Sequence, residues 1–526
     1  MPITPRFILS QTDTHVIIKI HTPHIRVSAS TIDAVVDGPE LHFYTPPYLL
    51  HLTFPGNLVD DFESNKEAKA IFDPTLNHGT ITMEIWKEVV AYWKDLDLMG
   101  RLISSNYDIP SSGGKSQTIT VISSTTSTKN DSYEQEVHES THEKDEHPPM
   151  KQQTLDMQSV NDYWMGNDDD LSCITKPRYG FLDMFHSVFT AFAREGTVHE
   201  MLEIPNPDDN IQLQHNDVSR RQERIRMENE KFDIDRYLGD LVLDDDDNND
   251  DDDNNDMVYL EAIQMTPHYW IDTDSNRFHS NHHTCIELEL SEGFKKLSTD
   301  DSTSTTQLQQ DIHLEGSPGN HSFFNSDELL LLSTIRTSIP RNNQITENQT
   351  QSILLSLLDI LYAYAYDHRT SIGEPTCESS WTVAFLSPTL SWLEKYIPPY
   401  DSTEDVVRWC IRRTLIYPYI RNFHFAYQII LKDVIQILRQ GRRTILRCLL
   451  QIHNIFDKSE VRYLHNKLYI DPYISWVQSL KGDRLFETLA HNIQTTCITK
   501  HALDLCLDEI ETSDYDYESD SNSSED

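Results

Sequence analysis

Residues 351–366 read QSILLSLLDILYAYAY and carry the strongest structural pattern in the C-terminal half of the chain. The apolar residues recur at the three- and four-residue spacing of an α-helix. One wide apolar face continues to the tyrosine at position 366 and includes Ile353, Leu354, Leu357, Leu358 and Leu361. Because such a face is stable only when other helices cover it, the stretch predicts a core helix of an all-α domain.

Similar helical patterns extend from this stretch toward the C-terminus. They occupy residues 406–417, 425–438, 444–456 and 485–507. Helix-breaking residues predict the boundaries between them, at Pro388, Pro398-Pro399, Pro418, Gly441 and Pro472. Four tryptophans lie within or beside these patterns, and a large aromatic side chain at helical spacing is normally buried. We therefore expect core positions for Trp381, Trp392, Trp409 and Trp476.

The first hundred residues instead predict β-structure. Residues 16–21 have apolar side chains at every second position, namely Val16, Ile18 and Ile20. Because Ile17, on the opposite face, is apolar as well, we expect a strand packed on both faces. Further short strands are expected at 41–44, 48–54 and 79–86, with a turn at residues 37–39. Their spacing is typical of a β-sandwich.

Low-complexity sequence separates and interrupts these two regions. Residues 104–172 are rich in Ser, Thr, Lys and Glu, residues 244–256 contain nine aspartates, and residues 298–319 are rich in Ser, Thr and Gln. We expect a disordered linker in the first range and insertions in the other two, because these segments have little apolar surface to bury.

The chain carries a formal net charge of −42 that is unevenly distributed. Residues 104–350 contain 18 Lys and Arg against 48 Asp and Glu, whereas residues 351–510 contain 17 of each. Such acidity argues against nucleic acid as a direct ligand and indicates a basic partner surface.

Seven cysteines, an odd number without a C-x-x-C pair, indicate a reducing compartment. No run approaches 18 apolar residues, and a signal arrangement is not evident at the N-terminus. We expect a soluble protein that is neither secreted nor bound to a membrane.

Several short motifs make the chain similar to a known family. In the N-terminal region they are residues 3–7 (ITPRF), 25–28 (IRVS), 47–52 (PYLLHL) and 54–55 (FP). In the C-terminal region they are 179–181 (YGF), 231–238 (KFDIDRYL), 367–370 (DHRT), 378–382 (ESSWT), 386–393 (LSPTLSWL), 412–418 (RRTLIYP), 469–471 (YID) and 476–478 (WVQ). With these motifs the chain resembles the Shq family of H/ACA ribonucleoprotein assembly factors.

The resemblance implies a multidomain protein. Its expected parts are an all-β CS domain of the small-heat-shock-like sandwich type (1–103), a disordered linker (104–172), a mainly α-helical Shq-specific domain (173–510) and an acidic disordered tail (511–526). The inserts at 244–256 and 298–319 lengthen that domain beyond the family's core, so the family's function is assigned only to the flanking sequence.

The resemblance also implies a function without chemistry. The helical domain is expected to hold the RNA-binding face of the pseudouridine synthase dyskerin as an RNA mimic, before snoRNA or telomerase RNA is incorporated. The AAA+ ATPases pontin and reptin would then assist release. We accordingly expect a monomeric chaperone of the nucleoplasm and cytoplasm, with no catalytic residue, cofactor or metal. The alternative is a CS-type co-chaperone of the ninety-kilodalton heat-shock protein.

Two groups of residues are candidates for partner binding. Asp367, Arg369, Glu374 and Glu378 interrupt an apolar helix pair; a salt bridge that anchors a loop, with helix caps, is the simpler interpretation and the one we prefer. In the tail, the candidates are Asp514, Asp516, Glu518 and Asp520, which would form an RNA-like row of carboxylates. A solvated, disordered terminus is the interpretation that we prefer for the tail.

One group of possible metal ligands lies in a polar segment. It consists of Asp272, Asp274, His279, His282, His283 and Cys285. Because its spacing fits none of the closed zinc patterns, we expect no metal there.

Overall fold

The N-terminal part of the protein is a β-sandwich, as predicted. The computed structural model describes residues 3–23, 33–59, 68–73, 79–98, 102, 117–118, 121–123, 177–208, 217–241, 254–270, 323–335, 337, 339–340, 344–417 and 419–512. Ten strands form the two sheets: β1 (Arg6–Gln11), β2 (His15–His21), β3 (Asp33–Asp37), β4 (Glu40–Thr45), β5 (Tyr48–Thr53), β6 (Leu58–Val59), β7 (Lys69–Asp73), β8 (Thr80–Lys87), β9 (Gln117–Thr118) and β10 (Val121–Ser123).

One sheet has the order β1-β2-β8-β7-β10, with β6 also paired to β8, and the other has the order β5-β4-β3-β9. All the pairs are antiparallel except β7 with β10. Strands β1, β2, β3, β4 and β7 bury every second residue between the sheets. On β2, Val16, Ile18 and Ile20 are fully buried while Lys19 is exposed. The expectation of a strand packed on both faces was therefore wrong, because Ile17 on the outer face is only partly covered.

Strands β9 and β10 lie inside the range 104–172, where we had expected a disordered linker. They add one strand to each sheet, β9 beside β3 and β10 beside β7. At these five residues the structure differs from the linker prediction. The remainder of that range lies outside the described residues.

Helices make up the second part of the chain. The α-helices are α1 (Thr190–Glu195), α2 (Asp217–Lys231), α3 (Ile234–Leu241), α4 (Asn254–Gln264), α5 (Ser326–Thr334), α6 (Glu347–Thr370), α7 (Ser379–Leu386), α8 (Pro388–Ser391), α9 (Thr403–Thr414), α10 (Leu431–Gln440), α11 (Arg442–Asp457), α12 (Tyr463–His465), α13 (Asp471–Ser479) and α14 (Arg484–Gln494). Helix α4 starts within the predicted insert 244–256, so the last three residues of that insert belong to the helix. In the described residues no helix has the length and apolar content needed to cross a membrane.

Helix α6 contains residues 351–366 and is the centre of the helical core. A capping box fixes its first turn, because Thr346 accepts from the Gln349 backbone N–H and the Gln349 side chain accepts from the N–H of Thr346. From residue 353 to residue 369 every side chain except Ser356 is buried. The prediction of a single apolar face was too narrow, since neighbouring helices surround α6 on all sides.

The tryptophan prediction is confirmed at three positions. Trp392, Trp409 and Trp476 are buried. Trp381 is half-buried and stacks on Phe385 with ring centroids 4.9 Å apart.

Two predicted boundaries need correction. Pro472 does not end a helix: α12 continues through a π-helical segment (Asn466–Ile470) into α13, and Pro472 lies at the start of α13, where a missing N–H is tolerated. The pattern 485–507 is not one helix, because α14 ends at Gln494, a short 3-10 turn (Lys500–Leu503) follows, and helix resumes only at residues 507–512. Residues 511–512 are thus helical, although we had placed them in the disordered tail.

The sandwich and the helical domain contact each other directly. Helix α5 packs beside β1. Arg443 at the start of α11 binds Asp97 of the sandwich in a bidentate pair, with N···O distances of 2.7 and 2.8 Å. The same guanidinium lies 3.3 Å from Asp95 and donates to the backbone oxygen of Lys94. These ion pairs join the two domains.

Candidate partner-binding surface

The candidate residues 367–378 lie where α6 ends and α7 begins. Arg369 faces inward from the last turn of α6 and forms two hydrogen bonds of 2.5 and 3.0 Å with buried Asp433 of α10. Its Nη1 donates to three backbone oxygens at the end of α4, those of Ala262, Ile263 and Met265. Arg369 therefore connects α6, α10 and α4, as the preferred interpretation predicted, and is not exposed to a partner.

The other polar residues facing Asp433 complete this connection. The Tyr269 hydroxyl and the Trp270 indole donate to Asp433 at 3.0 and 2.7 Å. The segment from the end of α4 to Trp270 is thus held by Arg369 of α6 at one end and by Asp433 of α10 at the other. Arg369 and Asp433 are the centre of that attachment.

Asp367 is also buried and lies two residues before Arg369 on the same helix. Burial raises the pKa of this carboxyl to about 7, and only the Ser379 hydroxyl opposes that rise. A carboxyl with such a pKa is partly protonated at neutral pH. The structure gives it no access to a partner surface.

Glu374 and Glu378 are exposed, in contrast to Asp367 and Arg369. Two large apolar side chains near them are also exposed, Ile372 at 43% and Tyr419 at 44%. The Glu378 charge lies close enough to Tyr419 to help raise the pKa of that phenol, after the larger effect of burial. We name Ile372, Glu374, Glu378 and Tyr419 the α6–α7 loop surface.

The α6–α7 loop surface combines negative charge with apolar area. Gly373 gives the loop a left-handed turn with φ +81°, and an added Cβ there would approach the Met265 methyl at 3.1 Å. The loop is thereby shaped and kept close to the segment after α4. Carboxylates beside exposed aromatic and aliphatic groups suit a partner that presents Arg or Lys around an apolar contact.

The second candidate group, Asp514, Asp516, Glu518 and Asp520, lies outside the described residues. So do most of the insert 244–256, all of 298–319 and the possible metal ligands at 272–285. Those predictions remain predictions.

A buried ionic network explains one motif whose role the sequence did not reveal. Arg413 of the RRTLIYP motif is fully buried and binds Glu203 at 2.5 Å and Glu228 at 2.6 Å. Arg412 also binds Glu228, at 2.9 Å. Burial alone would raise the pKa of Glu203, but Arg413 and Lys231 lower it to about 2.

The network ties the early segment 177–241 to helices α7–α9. Arg224 of α2 binds Glu228 at 2.8 Å, and Arg221 binds Glu394 and Asp401 at 2.6 Å each. Sequence reasoning missed these partners, although two arginines within an apolar helical pattern are buried only when carboxylates pair with them. The network places α2 and so shapes the domain that carries the α6–α7 loop surface.

A cavity of about 320 Å³ lies against α6, separate from the α6–α7 loop surface. Its walls include Ser352 and Ser356 of α6 together with Tyr396, Tyr469 and Tyr473. Lys395, also in the wall, pairs with Asp183 at 2.8 Å. None of the candidate partner-binding residues contributes to this cavity.

Two family models match the chain. The model described as "SHQ1-like, CS domain" matches residues 4–103, which contain strands β1 to β8 of the sandwich. The model described as "SHQ1 protein, Shq1 domain" matches residues 322–507, which contain α5 to α14.

Curated relatives align with nearly the whole chain. Protein shq1 of Schizosaccharomyces pombe is 28% identical over 519 residues, 97% of this chain and 96% of the relative. The Protein SHQ1 homolog of Danio rerio is 29% identical over 512 residues, 97% of this chain and 71% of the relative. Since the two family models match residues 4–103 and 322–507 and these relatives extend across the chain, the chain belongs to the Shq1 family.

Proposed function

We propose that this protein is a non-enzymatic assembly chaperone that binds a dyskerin-type pseudouridine synthase at its RNA-binding face before guide RNA is incorporated. The observation that carries the proposal is membership of the Shq1 family, which supports an assembly-factor role. RNA mimicry, release by pontin and reptin, and action in the nucleoplasm and cytoplasm belong to the same proposal.

Charge and surface chemistry support this choice of partner. An RNA-binding face is basic, and carboxylates can replace phosphates as partners of Lys and Arg. The chain carries a net charge of −42, and Glu374 and Glu378 present carboxylates on the α6–α7 loop surface. The exposed Ile372 and Tyr419 beside them supply apolar contact area that RNA phosphates lack.

Competition between RNA and this protein tests the proposal. Dyskerin immobilised with the full-length protein should release it when H/ACA guide RNA is added in excess, because both ligands need one face. Simultaneous binding of RNA and protein with unchanged affinity contradicts mimicry.

Charge reversal tests the surface itself. The double variant Glu374→Lys/Glu378→Lys should slow association with dyskerin by about tenfold at low salt, because charges at an interface rim act mainly on the association rate. The control Glu487→Lys/Asp508→Lys makes the same change in net charge at exposed positions elsewhere and should have a much smaller effect. Equal losses in both variants would assign the attraction to net charge and not to this surface.

A co-chaperone of the ninety-kilodalton heat-shock protein is the second candidate, favoured by the CS-domain match at residues 4–103. A shared sandwich fold is a weak guide to function. Tight binding of the purified protein to that heat-shock protein, without binding to dyskerin, would select this alternative.

A further inference from the structure

Three side chains that are common metal ligands meet on the outer face of the smaller sheet. Glu40 and His42 are two residues apart on β4, so both point to the solvent side while Leu41 and Phe43 enter the core. His51 of β5 lies directly opposite His42 in the antiparallel register. The fold therefore brings the three side chains together.

Their distances suit a single small cation. Oε2 of Glu40 is 3.2 Å from Nε2 of His51 and 3.4 Å from Nε2 of His42. Ligands at the usual Zn–N and Zn–O distances stand at the corners of a tetrahedron whose edge is about 3.3 Å. One ligand atom from each residue lies within 4.8 Å of the other two, and the two imidazole rings lie side by side with centroids 3.9 Å apart.

The donor set and its access indicate which ion fits. Two imidazoles and one carboxylate match the preferences of zinc and do not match the oxygen-only preference of calcium or magnesium. The side chains are 24%, 42% and 18% exposed for His42, Glu40 and His51, so an ion reaches them from solvent. Asp37 stands opposite Glu40 on the adjacent strand and adds negative charge to the same face.

From this geometry we propose that Glu40, His42 and His51 form a Zn²⁺ site on the sandwich. Three protein ligands leave a fourth position open, as in zinc sites that bind water or a further side chain. Sequence alone predicted no metal site, since residues 42 and 51 become neighbours only through the strand register. The site is separate from the α6–α7 loop surface, and its existence does not depend on the proposed function.

The competing explanation is an ordinary cross-strand hydrogen-bonding group, in which Glu40 accepts from one or both imidazoles. The two explanations differ in the presence of metal. Co²⁺ titrated into the metal-free, full-length protein should bind one equivalent with the intense visible absorption of a four-coordinate site, and Zn²⁺ should abolish that absorption.

Variants assign the signal to these residues. His42→Ala and His51→Ala should each weaken Co²⁺ binding at least tenfold, and Glu40→Gln should also weaken it. His491→Ala, at an exposed position on α14, should leave binding unchanged. Circular dichroism verifies folding, and Zn²⁺ should raise the melting temperature of the native protein and not of His42→Ala/His51→Ala.

Two results overturn the site. One is the absence of four-coordinate absorption at one equivalent of Co²⁺. The other is a signal that persists in His42→Ala/His51→Ala and disappears in His282→Ala/His283→Ala, which would place the metal in the histidine-rich segment 279–283.

Discussion

Glu228 balances three buried arginines, Arg224, Arg412 and Arg413, at distances of 2.6 to 2.9 Å. Replacing it by glutamine keeps the size of the side chain and removes the charge. Since breaking a buried ion pair leaves the partner uncompensated, Glu228→Gln should lower the free energy of unfolding by about 3–5 kcal/mol. Chemical denaturation of the purified protein measures this loss.

Glu230 provides the matched control, because it lies on the same helix two residues away. Its side chain is 63% exposed and pairs with Arg226, which is also exposed. Glu230→Gln should change the free energy of unfolding by less than about 0.5 kcal/mol. Similar losses in the two variants would show that burial of the network contributes nothing to stability.

Asp367 makes stability depend on pH in a defined direction. Its pKa is about 7 in the folded protein and about 4 when unfolded, so the folded state holds the proton more tightly. The contribution of Asp367 to the stability of the protein is therefore greatest below about pH 4 and is lost as the pH rises toward 7. Asparagine does not titrate, so the free energy of unfolding of Asp367→Asn, relative to that of the native protein, should rise by about 2 kcal/mol from pH 5 to pH 8.

Urea denaturation at the two pH values tests the Asp367 prediction, with the exposed Asp235→Asn as control. The difference in the free energy of unfolding between the native protein and the Asp235→Asn control should be the same at both pH values. A constant difference for Asp367→Asn as well would mean that Asp367 is ionised in the folded protein without penalty.

Helix α4 depends on Arg369 for its position. Arg369→Met keeps the apolar stem but removes the donors that hold Ala262, Ile263 and Met265, and it leaves Asp433 without its cation. Hydrogen exchange should accelerate in residues 254–270 far more than in α14. Uniform acceleration through the domain would instead indicate global destabilisation.

The insert before α4 supplies a second prediction about elements. Replacing residues 244–253 by a Gly-Ser segment of equal length should leave the melting temperature nearly unchanged, because the replaced sequence has no apolar side chain to bury. Extending the replacement through α4 should lower it, since Tyr259 and Ala262 are buried there. A large fall with the shorter replacement would show that the acidic run supports the fold.

Elements with regular apolar patterns could be predicted from sequence, and those set by distant contacts could not. The pattern around Leu357 and Leu361 predicted α6, but its complete burial depends on helices elsewhere in the chain. Pro472 predicted a break that the structure does not have, because the π-helical segment before it continues the helix into α13. Likewise, Asp367 and Arg369 were recognised as a cluster, whereas their orientation depends on Asp433, 64 residues from Arg369.

Across the whole molecule, Arg443 and Asp97 supply the clearest polar link between sandwich and helices. Arg443→Asp should separate the domains in solution and increase the radius of gyration, because it places like charges together at the contact. The double exchange Arg443→Asp/Asp97→Arg should restore the compact form. Small-angle X-ray scattering measures both, and an unchanged radius in the single variant would show that the packing of α5 beside β1 suffices.

Arg413 and Glu203 are 210 residues apart in the chain, and this separation sets an order of events during synthesis. At translation rates of about 5–20 residues per second, Glu203 leaves the ribosome roughly 10–40 s before its partner. Glu203 and Glu228 therefore stay hydrated during this interval. The segment that carries them can form its native ion pairs only after helix α9 has been synthesised. The helical domain can reach its native form only after most of it has been translated. The structure of its N-terminal part thus depends on residues that are synthesised much later.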